Sequence, residues 1–110
     1  MFNPFRKKVI SEVLIAYKGR FPENLEVSIK PSQDNGYVIY VKNLPGCITQ
    51  AETGQKIFEM VNDAVYTYFQ IPEDYQPFMP VFFPTESERK EFNINIPDKY
   101  LKENIVFQRT

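Results

Sequence analysis

The sequence predicts a small α+β fold: a mainly antiparallel sheet of three to four strands packed by one long helix, with an extra helix at the N-terminus. Three observations carry this. Leu25, Val27 and Ile29 alternate with Glu26, Ser28 and Lys30, and a turn-rich stretch ending in Asn35-Gly36 leads into the apolar run Tyr37–Lys42. A helical apolar stripe follows in Ile57, Val61, Ala64, Val65 and Tyr68. An earlier stripe of the same kind lies within residues 6–18.

Residues 6–18 place Val9, Ile10, Val13, Leu14 and Tyr17 on one face of a helix, with a strand as the alternative because of the Val and Ile content. Gly19 is positioned to end that helix, and Pro22 blocks its continuation. The period-two pattern of residues 25–30 is that of a strand with one wet face. Asn35-Gly36 tolerates positive φ, so the chain can fold back as a hairpin. Tyr37–Lys42 is apolar on both faces apart from Lys42, the pattern of a central strand covered on both sides. Its second cover is expected to come from another subunit, making a homo-oligomer (a dimer or tetramer).

Leu44-Pro45-Gly46 breaks this strand and Cys47–Gln50 can form a short third one. Gly46 is expected to supply a backbone angle that other residues resist. Thr53 is placed to cap the long helix through its hydroxyl. Phe58 and Phe69 flank the apolar stripe, and Gln55, Lys56, Glu59, Asn62 and Asp63 are assigned to the opposite, wet side. Pro72, Pro77, Pro80 and Pro84 prevent a long regular element between about 72 and 84. Thr85-Glu86-Ser87-Glu88 has the form of a capping box. Phe92, Ile94 and Ile96 alternate with Asn93 and Asn95, predicting a fourth strand. A short helix within Asp98–Asn104 and a terminal strand at Ile105–Gln108 complete the chain.

The 110 residues predict one domain, 1–110, with a core of about 23–97, the N-terminal helix at about 6–18 and a short C-terminal extension at about 98–110. The net charge of -1 lacks the strong basic footprint of a dedicated nucleic-acid binder. The single cysteine cannot form an internal disulfide. No run reaches the length of a membrane span, about 18 apolar residues, and the start does not read as a signal peptide, so a cytoplasmic protein with no membrane contact is expected.

Catalysis is not expected. The sequence has no histidine, which removes Ser-His-Asp triads, Cys-His pairs and histidine-ligated metal sites. The predicted first strand offers Glu26 alone and the second no carboxylate, whereas a metal-dependent nuclease needs several converging on its ions. No metal, cofactor or catalytic residue is assigned. Cys47 has no basic neighbour in sequence and is expected to act as a small buried hydrophobe. Tyr37 and Tyr40 fall on opposite faces of one strand, so they form no stacking platform, and Lys30 and Lys42 give a thin basic rim. Arg6-Lys7-Lys8 reads as a solvated helix start, with an acidic partner as the alternative. The uncharged run Phe78-Met79-Pro80-Val81-Phe82-Phe83 is either laid over the core or an interface, so Phe78, Phe82 and Phe83 are candidate contacts.

Several short motifs in order resemble the HicB antitoxin family. They are Gly36-Tyr37 at the strand entry, Leu44-Pro45-Gly46-Cys47 at the corner, Thr53 before the helix and Asp63-Ala64 within it. Ala51 stands where a Gly is usual, and Lys56-Ile57 replaces a first Glu-Ala step, reversing a charge in the helix's first turn. The resemblance spans roughly residues 25–71. It implies a partial ribonuclease-H-like fold and a binding protein that neutralises a small ribonuclease toxin by covering its active site. A basic toxin would meet Glu52, Glu59 and Asp63, or pair with a sheet edge. Relatives often add a C-terminal DNA-binding module. Phe92–Leu101 resembles the opening of a ribbon-helix-helix unit, but the sequence offers no room for its second helix, so DNA binding is not expected. The rival readings are a free-standing interaction or regulatory module of the same fold with no toxin, and a nucleic-acid-binding regulator.

Overall fold

A computed structural model describes residues 9–100 of the chain. In chain order these form α1 (Ser11–Lys18), β1 (Val27–Pro31), β2 (Tyr37–Val41), β3 (Ile48–Ala51), a 3-10 turn (Gly54–Lys56) leading into α2 (Ile57–Tyr68), and α3 (Glu86–Glu91). Two further 3-10 turns cover Gln76–Phe78 and Asp98–Tyr100. The α+β class and the antiparallel sheet are as the sequence predicts.

The first helix is shorter than its predicted span. It begins at Ser11, Ile10 is its extended flanking residue, and the expected first residues 6–8 lie outside the described ones. Val9, Val13, Leu14 and Tyr17 pack on the core as expected, whereas Ile10 stays exposed. The Ile10 amide donates to the Tyr75 hydroxyl at 3.1 Å, which fixes where the helix starts. Gly19 does end it, with an ordinary right-handed φ of -67°. From the next residue the Arg20 guanidinium donates to the Phe69 carbonyl at 3.0 Å, tying α1 to the far end of α2.

Strand order is β1-β2-β3, with β2 in the centre. The hairpin turn closes with the Ser32 amide donating to the Gly36 carbonyl at 2.7 Å, and Asn35 takes the positive φ of 68° that the sequence anticipated. Gly36 is required for a different reason: a Cβ there would sit 2.7 Å from the Ala51 carbonyl oxygen. At the second corner Gly46 adopts φ +85°, and the Cys47 amide donates to the Leu44 carbonyl at 2.9 Å.

Side chains alternate across a sheet, so its two faces follow from the register. Val27, Ile29, Tyr37, Ile39, Val41, Thr49 and Ala51 share the face that meets α2, where Ile39 and Val41 are fully buried beside Ile57, Val61 and Val65. The other face carries Ser28, Lys30, Val38, Tyr40, Ile48 and Gln50. No described element covers that second face. The two-sided burial expected of β2 is thus met on one side only.

Helix α2 starts differently from the prediction. Thr53 precedes the 3-10 turn in extended conformation, but its hydroxyl accepts no capping bond. The residue that governs this entry is Gly54: a Cβ there would lie 1.7 Å from the Phe92 carbonyl oxygen, so the two backbones touch. The helix ends with Gln70 at φ 54°, the Ile71 amide donating to the Tyr66 carbonyl at 3.0 Å and the Gln70 amide to the Thr67 carbonyl at 3.0 Å. This is a Schellman motif built without glycine, and Pro72 follows it.

Asn62, which helical spacing puts on the wet side of α2, is instead buried, at 7% exposure. Its side-chain amide accepts from the Phe82 amide at 2.8 Å and donates to the Phe82 carbonyl at 3.0 Å. One side chain thereby does for Phe82 what a neighbouring strand would do. One turn along α2, the Tyr66 hydroxyl donates to the Pro80 carbonyl at 2.8 Å. The proline-rich segment is thus pinned to the helix, which satisfies backbone groups that no sheet pairs.

The Thr85 half of the predicted capping box is present: the Glu88 amide donates to Thr85 Oγ1 at 3.2 Å at the start of α3. The predicted fourth strand at 92–96 is absent. Asn93 stands at φ 53° and the Ile94 amide donates to the Arg89 carbonyl at 2.8 Å, a second Schellman ending that consumes these residues as a helix cap. Ile94 and Ile96 are buried and Asn93 and Asn95 exposed, so the alternation described burial correctly but not pairing. Of the predicted C-terminal helix the described part is the turn Asp98–Tyr100, and the predicted strand 105–108 lies outside the described residues.

Candidate functional site

The three carboxylates singled out from the sequence are all exposed. Glu52 follows β3 directly, while Glu59 and Asp63 stand one turn apart on the outward side of α2. Glu59 makes an exposed ion pair with Lys56 at 3.6 Å, a contact of small energetic value in water. Glu52, Lys56 and Glu59 line one side of an open groove of about 680 Å³. Asp34, Gly36, Tyr37, Gln50 and Met60 complete much of its wall. Three carboxylates against one ammonium make it an acidic groove. Asp63 turns toward a second groove of about 600 Å³, shared with Lys56, Glu59, Phe58, Tyr66 and Tyr100. Lys56 and Glu59 line both, so the pair forms the ridge between them.

The phenylalanines of the proline-rich segment do not join this surface. Phe82 and Phe83 are 0% exposed, Phe82 tilted against Phe21 at 6.2 Å and Phe83 against Phe58 at 5.5 Å between ring centroids. Their assignment as partner contacts is therefore corrected: the segment is a core cover held by Asn62, and burying two large aromatic side chains there outweighs any gain from displaying them. Phe78 alone is half-exposed, on a separate 3-10 turn.

The motif residues are structural in their contacts. Leu44 and Cys47 are buried, Ala64 is half-buried, and Tyr37 packs edge-on against Phe92 at 6.0 Å. Burial pushes the Cys47 thiol above its usual pKa, which disfavours the thiolate, as the packing role assumes. The Tyr66 hydroxyl is pushed up to about 12, first by burial and then by the neighbouring Tyr100. Among the described residues no three His, Cys, Asp or Glu side chains converge as a metal would require, and Glu26, expected on the first strand, directly precedes β1. No described helix is long and apolar enough to cross a membrane.

Sequence reasoning missed a further surface, the open face of the sheet. Tyr40 is 38% and Ile48 56% exposed, and the two are directly cross-strand partners. The Lys30 ammonium lies 5.6 Å from the centre of the Tyr40 ring. A shallow depression of about 370 Å³ joins these residues to Ser28, Lys42, Pro45 and Gly46. The even positions 38, 40, 48 and 50 carried the signal, because only register shows that they share a face.

The UPF0150 protein of Archaeoglobus fulgidus is similar to this chain, with 33% identity over 48 residues, which is 44% of this chain and 70% of that protein. No family model matches the chain. No solved structure matches it. On the relative's coverage and identity, the chain belongs to the UPF0150 family.

Proposed function

We propose that this protein is a HicB-like antitoxin: a non-catalytic binding protein that neutralises a small basic ribonuclease toxin by occluding it. Membership of UPF0150, a family related to HicB-like proteins, supports the class. The observation that carries the reading is the acidic surface along α2. Glu52, Glu59 and Asp63, with Asp34 in the first groove, are unburied and face solvent; Lys56 stands on the ridge between the grooves and Lys99 shares the second with Asp63, so the acidic excess lies in the first. Such a surface steers a basic partner and fixes its register more than it adds raw affinity. Lys56 at the start of the helix lowers the local negative charge and so favours a toxin that presents its basic residues to Glu52 and Asp63 on either side.

The chemistry proposed is occlusion, with no bond made or broken by this chain. Its sequence holds no histidine, and among the described residues no three carboxylates converge as a metal site would require. Metal-dependent cleavage that vanished in Glu26→Gln would refute that part of the reading.

Co-expression with the product of a short neighbouring reading frame tests it directly. The expected result is a complex that withstands purification and suppresses ribonuclease activity of the partner. The triple variant Glu52→Lys, Glu59→Lys, Asp63→Lys is expected to weaken that complex by on the order of a hundredfold, with steep salt dependence in the parent protein. A complex indifferent to all three reversals would exclude this surface. Absence of any small basic partner would favour the free-standing interaction module instead.

A further inference from the structure

We infer that the free edge of β3 pairs with the β3 edge of a second copy of this chain, joining two sheets into one continuous six-stranded sheet. This inference does not rest on the antitoxin reading, although Gln50 and Glu52 belong both to this edge and to the acidic groove. It rests on which main-chain groups point outward. In antiparallel pairs, hydrogen-bonded and non-hydrogen-bonded positions alternate. The Val41 amide donates to the Cys47 carbonyl at 2.9 Å, so Cys47, Thr49 and Ala51 turn their main chain toward β2. Ile48 and Gln50 therefore turn theirs away from the sheet. Among the described residues nothing takes up those outward groups, and β3 is the last strand of its side.

The two edges of the sheet differ in how they are protected. On β1 the Lys42 amide donates to the Glu26 carbonyl at 2.7 Å, which sets Val27, Ile29 and Pro31 as the outward positions. Pro31 has no amide hydrogen, so that edge lacks a donor where a further strand would need one. Sequence along β3 is Ile48-Thr49-Gln50-Ala51, with neither proline nor charge, and Ile48 is 56% exposed. Neutral, β-branched and unprotected edges of this kind invite pairing.

A second copy is the occupant that this edge selects. A two-fold axis through Thr49 sets Ile48 opposite Gln50 of the second copy and Gln50 opposite its Ile48, so every outward amide and carbonyl of both is used. The same register sets Glu52 opposite Gly46 of the second copy. Residues 46–52 carry a single charge, Glu52, and it falls opposite an uncharged residue, so no like charges oppose across the axis. Because the contact is isologous and β1 carries Pro31, assembly closes at two. The two open faces then become one surface, with Tyr40 and Ile48 of each copy flanking the junction.

Sedimentation of the full chain from low to high micromolar concentration tests this. The expected result is a reversible dimer. Gln50→Pro removes an outward donor and leaves the β2–β3 ladder intact, and Ile48→Lys puts a charge at the junction. Each is expected to weaken the dimer on the order of tenfold or more, while circular dichroism and melting temperature of the monomer stay near those of the parent. Tyr40→Lys, on the open face but on the central strand, offers no main-chain group to the edge and is expected to retain the dimer. A parent chain that remains monomeric throughout, or a dimer that survives Gln50→Pro, would overturn the inference. A dimer lost in Tyr40→Lys but kept in Ile48→Lys would also overturn it, and would assign the contact to the sheet face.

Discussion

The two faces of the sheet come from the same three strands and meet opposite fates. Neighbouring residues of β2 make the point: Ile39 is 0% and Tyr40 38% exposed, although both are large and apolar. What separates them is the pleat, which sends one toward α2 and the other to the uncovered side. Hydrophobicity alone therefore does not state what a strand residue does. The covered face holds the fold together, and the open face is available for contacts.

Substitutions on the two faces are the strongest way to break this comparison. Ile39→Ala is expected to destabilise the protein by about 3 kcal/mol, because a cavity opens beneath α2. Tyr40→Ala is expected to cost below about 1 kcal/mol, the loss of an exposed packing contact and of the Lys30 ammonium above its ring. Urea unfolding of the two variants measures the difference, and equal losses would mean that the second face is covered in solution.

A smaller effect probes the opposite side of α2. Asn62→Ala leaves the Phe82 amide and carbonyl buried without their partner and is expected to cost about 2 kcal/mol. Hydrogen exchange should report it first at Phe82. Protection there that matched the parent would show that another group replaces the Asn62 amide.

The smallest effect is a pH dependence. The Tyr66 hydroxyl is neutral when protonated and its folded pKa, about 12, lies above its ordinary value of 10.0. Above that ordinary value the unfolded chain loses its proton while the folded chain keeps it, so stability falls as pH rises from about 10 to about 12. Tyr66→Phe is expected to flatten part of that fall and to lose the bond to Pro80 at every pH. A pH profile unchanged by the substitution would remove Tyr66 from the cause.

Much of the fold was legible because it is local. The hairpin was written in Asn35, which takes the positive φ, and the second corner in Gly46, which takes another. The stripe of Ile57, Val61 and Val65 placed α2, and Thr85 announced α3 through a cap that the structure contains. Where the reading failed, the deciding contact came from far along the chain. Asn62 looks wet on a helical wheel and is dry because Phe82 arrives on it from twenty residues away. Phe92–Ile96 alternates like a strand, yet Asn93 turns left-handed to finish α3. Phe82 and Phe83 look like an exposed interface run and are core.

The candidate surface divides in the same way. Glu52, Glu59 and Asp63 were readable as wet positions, since charge and helical spacing suffice to put them outside. That Asp34 joins two of them across a groove was not readable, because a hairpin turn and a helix meet there only in three dimensions.

By itself the sequence determined the periodicity of the elements, the positions of the turns and the inventory of chemistry, a set without histidine. These are properties of residues and their near neighbours, fixed by backbone sterics and side-chain spacing. Tertiary structure alone decided which apolar residues were covered, which sheet edge stayed open and which carboxylates share a groove. Those depend on register and on contacts between distant segments, where a shift of one residue exchanges the buried face for the exposed one.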